Sequence, residues 1–299
     1  MVDKIQSIHH VSAIVGNVQE NYDFYSQVLN LKLVKQTVNF DDPSVYHLYF
    51  ANANVDNGTI MTFFPWESNK KGTKGGGQVG RIGFAIPNGS LEHWQSRLDK
   101  FNINYQTSNM FGATTLEFAD PHDLDIALVE SDIAADNMEI LGFYGLVLIS
   151  IHPQGTLDLL TREMGAKLVE ETDNYLHIAL SGPEKHRLLL TKKAQPLGRF
   201  GISTVHHVAW SVDQLKDLKD WHQQLKEAHY HLTPVKDRKY FKSIYLREKG
   251  GIIFEFATKE PGFLVDETFE ALGRILKLPA QFEKKRSQIV STLPSFKVR

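Results

Sequence analysis

The chain has 299 residues, a formal net charge of −2 and no cysteine, which excludes disulfides, thiolate metal sites and cysteine nucleophiles. The near-neutral charge and the lack of a basic run argue against nucleic acid and anionic membranes as partners. With 42% hydrophobic and 23% charged residues, the composition is that of a globular protein with a sizeable core.

Neither a signal peptide nor a membrane segment is predicted. The first residues, MVDKIQSIHH, contain no apolar core of signal-peptide length, and no run of about 18 apolar residues follows. We therefore expect a cytoplasmic protein that acts on a small neutral or weakly acidic ligand.

One order of elements recurs four times along the chain. Each repeat begins with a short apolar strand, continues with an amphipathic helix whose apolar residues are three and four positions apart, and ends with further strands. The predicted first strands are residues 10–15, 81–86, 145–150 and 207–212. The first helix spans residues 18–29, and the next three are expected to follow the N-caps Ser90, Thr156 and Asp213. The predicted later strands are 46–51, 58–64, 115–119, 124–129, 175–179, 187–191, 242–246 and 251–258.

This pattern predicts an α+β fold built from four βαβββ modules. Because a single module leaves one face of its sheet exposed, we expect the modules to pair, so that curled mixed sheets surround a common cavity. The polar segment 131–137 divides the chain into an N-terminal pair of modules, residues 1–137, and a C-terminal pair, residues 138–299. Two C-terminal helices are predicted at 267–277 and 281–292, on either side of Pro279.

Two of the first strands carry the same pair of histidines. The string IHHVSA near the N-terminus returns as VHHVAW in the fourth repeat. Because side chains alternate along a strand, the two histidines of each pair are expected on opposite faces. His10 and His207 share their face with small residues that can line a cavity, whereas His9 and His206 lie with larger apolar neighbours.

A carboxylate completes the predicted site. Glu255 lies within the apolar final strand GGIIFEFAT, where a buried charge is costly unless a cation meets it. Aligning the final strand of the first module with this strand places Thr62 opposite Glu255. Two imidazoles and one carboxylate, with the other positions open, form the ligand set of non-haem Fe(II) in oxygen chemistry. We therefore predict a metal site formed by His10, His207 and Glu255, between the first and fourth modules.

The second and third modules offer no comparable ligands, because Arg81 and Gly145 occupy the matching positions. Other histidines, His47 among them, are interpreted as ordinary core or surface residues. A serine-based catalytic triad is disfavoured, because the chain contains no nucleophile-elbow motif.

The chain resembles the vicinal oxygen chelate superfamily, which includes glyoxalases, bleomycin resistance proteins and extradiol dioxygenases. Within that superfamily it most resembles the ring-cleaving dioxygenases that act on hydroquinones. The resemblance spans nearly the full length and rests on SIHHVSAIVGNVQENYDFYSQVLNLKLVKQTVNFDD, YHLYFAN, GTIMTFFPW, VHHVAWSV, DRKYFKSIYLRE, GGIIFEFAT and GRILKLPAQFEKKR.

The resemblance implies an Fe(II)-dependent enzyme, with Mn(II) as the alternative metal, that inserts O2 into a hydroquinone-type ring. The metal ligands of the family correspond to His10, His207 and Glu255, the residues that strand alternation also selects. The residues implied in catalysis are His9, His206, Arg238 and Tyr245, and Ser12 stands where the family often has threonine. The expected partners are a small aromatic substrate and O2, and a homo-oligomer is compatible with the resemblance.

Three other functions share this fold. A glyoxalase-like isomerase usually completes its metal site with another carboxylate or imidazole, where this chain has Thr62. A catechol-type extradiol dioxygenase more often takes all its ligands from the C-terminal half, whereas His10 lies in the N-terminal half. A non-enzymatic small-molecule binding protein would need neither the ligand set nor Arg238 and Tyr245. Because one fold hosts many functions, the site has to separate these alternatives.

Overall fold

The computed structural model describes residues 3–299, in which sixteen strands form two eight-stranded sheets. The strands of the first two modules are β1 Ile8–Val15, β2 Lys32–Val38, β3 Tyr46–Ala51, β4 Ile60–Pro65, β5 Gln78–Ile86, β6 Gln106–Met110, β7 Ala113–Ala119 and β8 Asp125–Glu130. Those of the last two modules are β9 Gly142–Ile149, β10 Lys167–Glu171, β11 Tyr175–Ala179, β12 Arg187–Thr191, β13 Thr204–Val212, β14 Lys236–Asp237, β15 Phe241–Arg247 and β16 Ile253–Pro261.

One helix follows the first strand of each module, and a fifth lies near the C-terminus. They are α1 Val18–Asp23, α2 Leu91–Lys100, α3 Pro153–Asp158, α4 Leu215–Glu227 and the C-terminal α5 Arg286–Thr292. The π-helical turns Phe24–Val28 and Leu159–Glu163 extend α1 and α3, and short 3₁₀ helices lie at Phe263–Val265, Phe269–Ala271 and Ala280–Lys285. Within residues 3–299, no helix combines the length and the apolar character needed to cross a membrane.

The first sheet joins the first module to the fourth, in the order β14-β15-β16-β13-β1-β4-β3-β2. The second joins the third module to the second, in the order β10-β11-β12-β9-β5-β8-β7-β6. In each sheet the first strands of the two modules pair antiparallel at the centre, β1 with β13 and β5 with β9. The predicted βαβββ modules and their curled mixed sheets are confirmed. Each sheet takes one module from either side of residue 137.

Packing of α4 against the first sheet orients the strand that carries Glu255. The ring of Trp221 on α4 lies 5.1 Å from that of Phe256, and Trp210 lies 5.0 Å from Phe254. Each of these fully buried phenylalanine side chains contributes roughly 1.5–3 kcal/mol to folding. Because alternate side chains of a strand point to opposite faces, Glu255 between them points to the other face, which is concave.

Two of the predicted N-caps, Thr156 and Asp213, are wrong, because neighbouring residues cap these helices. His152 caps α3, since its Nδ1 accepts the backbone N–H of Gly155 at 2.9 Å; Thr156 lies inside the helix and donates to Glu248 at 2.9 Å. The N-cap of α4 is Gln214 rather than Asp213. Its backbone N–H donates to the carboxylate of Asp217 at 3.1 Å, which satisfies a group that the helix leaves free.

Ser90 is the N-cap of α2, as predicted, but its side chain does not cap the helix. The Ser90 hydroxyl donates instead to the carbonyl oxygen of Pro87 at 2.6 Å.

The predicted α-helix at 267–277 is wrong, because contacts with the edge strand β2 hold this segment in turns and the short 3₁₀ helix Phe269–Ala271. The buried ammonium of Lys35 pairs with Asp266 at 2.7 Å and with Glu267. The side chain of Gln36 donates to the carbonyl oxygen of Gly273 at 2.6 Å. The backbone carbonyl oxygen of Gln36 accepts the backbone N–H of Lys277 at 2.9 Å. The segment thereby covers an edge that would otherwise be open to pairing. The second predicted helix, 281–292, is present as Ala280–Lys285 in 3₁₀ form followed by α5.

Acid is expected to destabilise the protein through His186. Its Nδ1 accepts the backbone N–H of Ile8 at 3.0 Å, at the start of β1, and the residue is 1% exposed. Burial lowers the pKa of His186 from 6.5 to about 4. Because the folded-state pKa is the lower one, the stability that this group contributes above pH 6.5 is lost as the pH falls toward 4. We expect the wild-type protein to lose about 2–3 kcal/mol more free energy of unfolding than the His186→Asn variant between about pH 7 and about pH 4.5. Urea titrations measure this difference, and equal losses would contradict it.

Candidate metal centre

The two central strands of the first sheet are related by a pseudo-twofold axis. The pairing of β1 with β13 is symmetric about the facing residues Val11 and Val208. His10 of the first module therefore corresponds to His207 of the fourth. The two imidazoles come from strands that are distant in sequence and adjacent in the sheet.

Each central strand contains a β-bulge at the first histidine of its pair. The pairing register shifts once in each strand, and the extra residue is His9 in β1 and His206 in β13. A bulge re-aims the side chains next to it, so both histidines of a pair point to the same region. The Nδ1 atoms of His9 and His10 are 2.8 Å apart, and those of His206 and His207 are 2.7 Å apart. The expectation of opposite faces is therefore wrong.

Three potential ligand atoms meet on the concave face. Oε2 of Glu255 lies 3.2 Å from Nε2 of His10 and 2.9 Å from Nε2 of His207, and the two Nε2 atoms are 3.3 Å apart. The three residues are between 0% and 5% exposed. Metal–ligand distances of about 2.0–2.2 Å separate neighbouring ligand atoms by about 3 Å, so the spacing suits a single ion.

The partner of His9 determines the tautomer of His10. Nε2 of His9 lies 3.2 Å from the carbonyl oxygen of Thr258, which can only accept, so His9 carries its proton on Nε2. Burial, together with the neighbouring His10, lowers the pKa of His9 to about 3, so Nδ1 of His9 is an unprotonated acceptor. His10 therefore donates its Nδ1–H to His9 and presents a lone pair on Nε2 toward Glu255.

The same arrangement is available on the other side of the pseudo-twofold axis. Burial, together with His207, lowers the pKa of His206 to about 3, and its Nδ1 faces Nδ1 of His207. When His207 donates that hydrogen, its Nε2 lone pair also points at Glu255. Unlike His9, His206 has no partner for Nε2 among the described residues, so this N–H is free.

A divalent metal fits this set of residues. Burial alone would raise the pKa of Glu255, but positive charge on His10 and His207 opposes burial and holds this pKa well below its usual value; a metal ion in place of that charge would leave both imidazoles neutral. Two imidazole lone pairs and a carboxylate oxygen then converge without a hydrogen atom between them. Neither oxygen of Glu255 has a hydrogen-bond donor within residues 3–299. Three buried ligand atoms at this spacing suit a bound cation.

The fourth symmetry-related position does not contribute a ligand. Thr62 pairs with Ser12 as Glu255 pairs with Ala209, so Thr62 is the counterpart of the carboxylate. Its hydroxyl lies 2.6 Å from the hydroxyl of Ser12 and 2.9 Å from Nε2 of His47. These neighbours engage the Thr62 hydroxyl, so a metal held here would have His10, His207 and Glu255 as its protein ligands.

A cavity of about 340 Å³ lies beside the three ligands and is called the site cavity. Both imidazole ligands line it, as do His206, Arg238 and Tyr245. The guanidinium of Arg238 donates to the hydroxyl of Tyr245 at 3.3 Å and pairs with Asp41, from the β2–β3 loop, at 3.1 Å. The aromatic walls are Phe40, Phe64, Trp66 and Phe241.

Sequence reasoning missed His47, which also lines the site cavity. Both of its nitrogens are engaged, Nε2 by Thr62 and Nδ1 by the hydroxyl of Tyr49 at 2.9 Å. Tyr49 pairs with Thr62 as Tyr245 pairs with Glu255, so the two tyrosines are counterparts. Aligning the third strands of the two modules would have placed Tyr49 opposite Tyr245 and His47 on the same face.

Within residues 3–299, the second sheet presents a different set of side chains on its concave face. Phe111 occupies its concave face: a side chain on Gly83 or Gly145 would come within 3.0–3.2 Å of the Phe111 ring. Arg81 pairs with Glu117 on the same sheet. A ring and an ion pair therefore replace the site of the first sheet.

The structure brings most of the sequence-predicted site residues together. The candidate ligand atoms of His10, His207 and Glu255 lie within 4.8 Å of one another. The adjoining site cavity is lined by His206, Arg238 and Tyr245. The Nδ1 atom of His9 contacts that of His10. The hydroxyl of Ser12 is hydrogen-bonded to that of Thr62.

Comparison with known proteins gives the same fold and points to related enzymes. The model of the Glyoxalase/Bleomycin resistance protein/Dioxygenase superfamily matches residues 7–128 and 145–256. The chain is 44% identical to "Putative ring-cleaving dioxygenase MhqO" of Bacillus subtilis over 100% of this chain and 99% of that protein. It is 26% identical, over 97% of each, to "Chlorohydroquinone/hydroquinone 1,2-dioxygenase" of Sphingobium indicum. A crystal structure of a "putative dioxygenase" from B. subtilis superposes with a TM-score of 0.95, at 43% identity, over 99% of both chains. The chain therefore belongs to the Glyoxalase/Bleomycin resistance protein/Dioxygenase superfamily.

Proposed function

We propose that this protein is an Fe(II)-dependent dioxygenase that cleaves a hydroquinone-type ring. The observation that carries the proposal is the convergence of the Nε2 atoms of two imidazoles and the carboxylate of Glu255 beside a cavity with aromatic walls. Two histidines and one carboxylate with open positions are typical of Fe(II) sites in oxygen chemistry. The relatives named for ring cleavage, one of them for hydroquinone, agree with it. Mn(II) is the alternative metal.

The site cavity suits a single aromatic ring with two separate oxygens. Its volume of about 340 Å³ is at the small end of ligand pockets. The hydroxyls of a hydroquinone lie on opposite sides of the ring and cannot chelate one ion, so protein side chains have to orient the ring. Arg238 and Tyr245 form a polar pair within the cavity that can hold a substrate oxygen.

Bound Fe(II) would supply the Lewis acidity that favours a phenolate and the electrons that activate dioxygen. Burial and the nearby carboxylate of Glu255 raise the pKa of Tyr245 against the opposing effect of Arg238, so its hydroxyl stays protonated. Because Arg238 donates to the oxygen of that hydroxyl, the hydrogen atom remains available for a substrate oxygen. The Nε2–H of His206 is a second free donor, and the charge of Arg238 stabilises anionic oxygen.

Oxygen uptake by anaerobically purified, Fe(II)-loaded protein tests the proposal. We expect uptake with hydroquinone or methylhydroquinone, and none in a His207→Ala variant measured beside it. Uptake with catechol alone would favour a catechol-type enzyme. Conversion of methylglyoxal with a thiol, without oxygen uptake, would favour an isomerase. Metal binding without any turnover would favour a binding protein.

His9 is expected to support the metal indirectly. Replacing His9 by phenylalanine removes the acceptor for Nδ1–H of His10 and frees its tautomer, and losing such an outer partner typically weakens metal affinity about 10–100-fold. Competition with a coloured chelator measures the Fe(II) affinity of the His9→Phe variant, with His93→Ala, at an exposed histidine of α2, as the control. Unchanged affinity in His9→Phe would contradict this role.

A further inference from the structure

A second cavity, of about 250 Å³, occupies the symmetry-related end of the same concave face. The pseudo-twofold axis that relates His10 to His207 also relates His206 to His9 and Ile14 to Ser211. His206 and Ile14 line the site cavity, and His9 and Ser211 line the second cavity. The candidate metal centre therefore has a cavity on each side of the axis.

One aromatic ring separates the two cavities. Phe241 lines both of them and is itself 3% exposed. Its ring centroid lies 5.2 Å from that of His9 and 5.2 Å from that of His10. Its side chain is therefore the group that would have to move for the second cavity to open toward His10.

The second cavity favours a small ligand without charge. Its charged wall residues are already paired, Lys259 with Asp213 at 2.6 Å and Asp56 with Asn52 at 2.9 Å. The hydroxyl of Ser211, in a residue 8% exposed, points to no hydrogen-bond partner within residues 3–299. The remaining wall carries apolar side chains beside the amides of Asn54 and Asn57 and the ring of Tyr240; the apolar residues are Ile60, Pro261, Phe263, Leu264, Phe269 and Leu272.

The second cavity also has an entrance. Leu264 and Phe269, both in its wall, are 60% and 40% exposed, so the cavity reaches the surface near the C-terminal segment. A path therefore leads from solvent through the second cavity to Phe241, whose ring lies beside His10.

We propose that dioxygen enters through the second cavity while the aromatic substrate occupies the site cavity, with Phe241 as the gate between them. This inference rests on the proposed function. A ring seated in the site cavity would fill the approach to the metal from that side, and the second cavity, whose charged groups are paired, offers a small uncharged molecule a separate approach. The two substrates then reach the metal from opposite sides of the pseudo-twofold axis.

The test uses a symmetric pair of variants. Ser211→Leu fills the second cavity and removes an unpaired hydroxyl, and Ile14→Phe fills the corresponding part of the site cavity. Nitric oxide serves as the probe for dioxygen, because its association with the anaerobic, Fe(II)-loaded, hydroquinone-saturated protein needs no turnover. We expect Ser211→Leu to slow nitric oxide association and raise the KM for O2 about tenfold, a barrier change of about 1.4 kcal/mol, with the KM for hydroquinone unchanged. Ile14→Phe should raise the KM for hydroquinone and leave nitric oxide association and the KM for O2 unchanged.

Xenon provides a measurement that is independent of iron. Crystals of the wild-type protein under xenon pressure should show the gas in the second cavity, and those of Ser211→Leu should not. A wild-type cavity without xenon, or a Ser211→Leu protein that excludes xenon yet binds nitric oxide at the wild-type rate, would overturn the inference. If Ser211→Leu does not fold, Leu272→Trp narrows the same cavity from its far wall. Slowed nitric oxide association in a protein that never cleaves hydroquinone would refute the proposed function and support the entry route.

Discussion

Replacing Glu255 by glutamine is expected to remove the stabilisation that Fe(II) gives to the fold. The amide keeps the shape of the side chain but replaces an anionic ligand by a neutral group that donates to the imidazole lone pairs. At a metal concentration about 100 times its Kd, the wild-type protein should gain about 2.7 kcal/mol of unfolding free energy, and a variant that binds about 100-fold more weakly should gain only about 0.4 kcal/mol. Ring cleavage should be lost as well.

Anaerobic urea titrations with and without Fe(II) measure this difference. Thr62→Ser is the matched control, because Thr62 is the symmetry counterpart of Glu255 and the serine retains the hydroxyl. The control should keep the stabilisation of the wild-type protein. A Glu255→Gln variant that gains as much stability from Fe(II) as the wild type would exclude Glu255 as a ligand.

The second large effect is expected at Tyr245. Tyr245→Phe removes a protonated hydroxyl that Arg238 holds within the site cavity, and removing one such donor to developing charge typically lowers kcat about 10²–10³-fold. The counterpart variant, Tyr49→Phe, removes a hydroxyl that is bonded to His47. It should cost no more than about fivefold, the equivalent of a hydrogen bond of about 1 kcal/mol.

Steady-state kinetics of the two tyrosine variants decide between a catalytic and a structural role for Tyr245. The loss in Tyr245→Phe should fall on kcat rather than on the KM for hydroquinone. Equal losses in the two variants would assign both hydroxyls to packing of the site cavity.

Strand alternation alone is enough to select the three candidate ligands. Glu255 lies between two phenylalanines of an apolar strand, and the second histidine of each pair lies among small residues. These patterns are local, so they can be read from one chain. The alignment of modules then places Thr62 opposite Glu255, and the strand pairing agrees with that alignment.

The positions of His9 and His206 could not be read in this way. A β-bulge depends on how one strand pairs with another, and the two bulges arise where β1 meets β13 across almost two hundred residues. Simple alternation therefore assigns both side chains to the wrong face. Their relevance came from the family resemblance, and their contact with the ligands came from the structure.

Long-range contacts also explain the other differences. The segment 267–277 has the apolar spacing of a helix, but ion pairs with Lys35 and hydrogen bonds to Gln36 compete with helical hydrogen bonding. Both partners lie in β2, more than two hundred residues away, so the sequence pattern of the segment itself does not indicate them. His47 differs, because an alignment of β3 with β15 would have placed Tyr49 opposite Tyr245 and His47 on the same face.

Isotopic analysis of the product tests the central claim most directly. The Fe(II)-loaded protein would be given hydroquinone and isotopically labelled dioxygen, and the trapped product would be analysed by mass spectrometry. We predict an open-chain product that has gained both atoms of one dioxygen molecule. One labelled atom lies in the new carboxyl group, where it is retained, and the other lies in the new carbonyl group, whose oxygen exchanges with water. Formation of benzoquinone, which has lost two hydrogen atoms and carries no label, would show simple oxidation of the substrate and contradict ring cleavage.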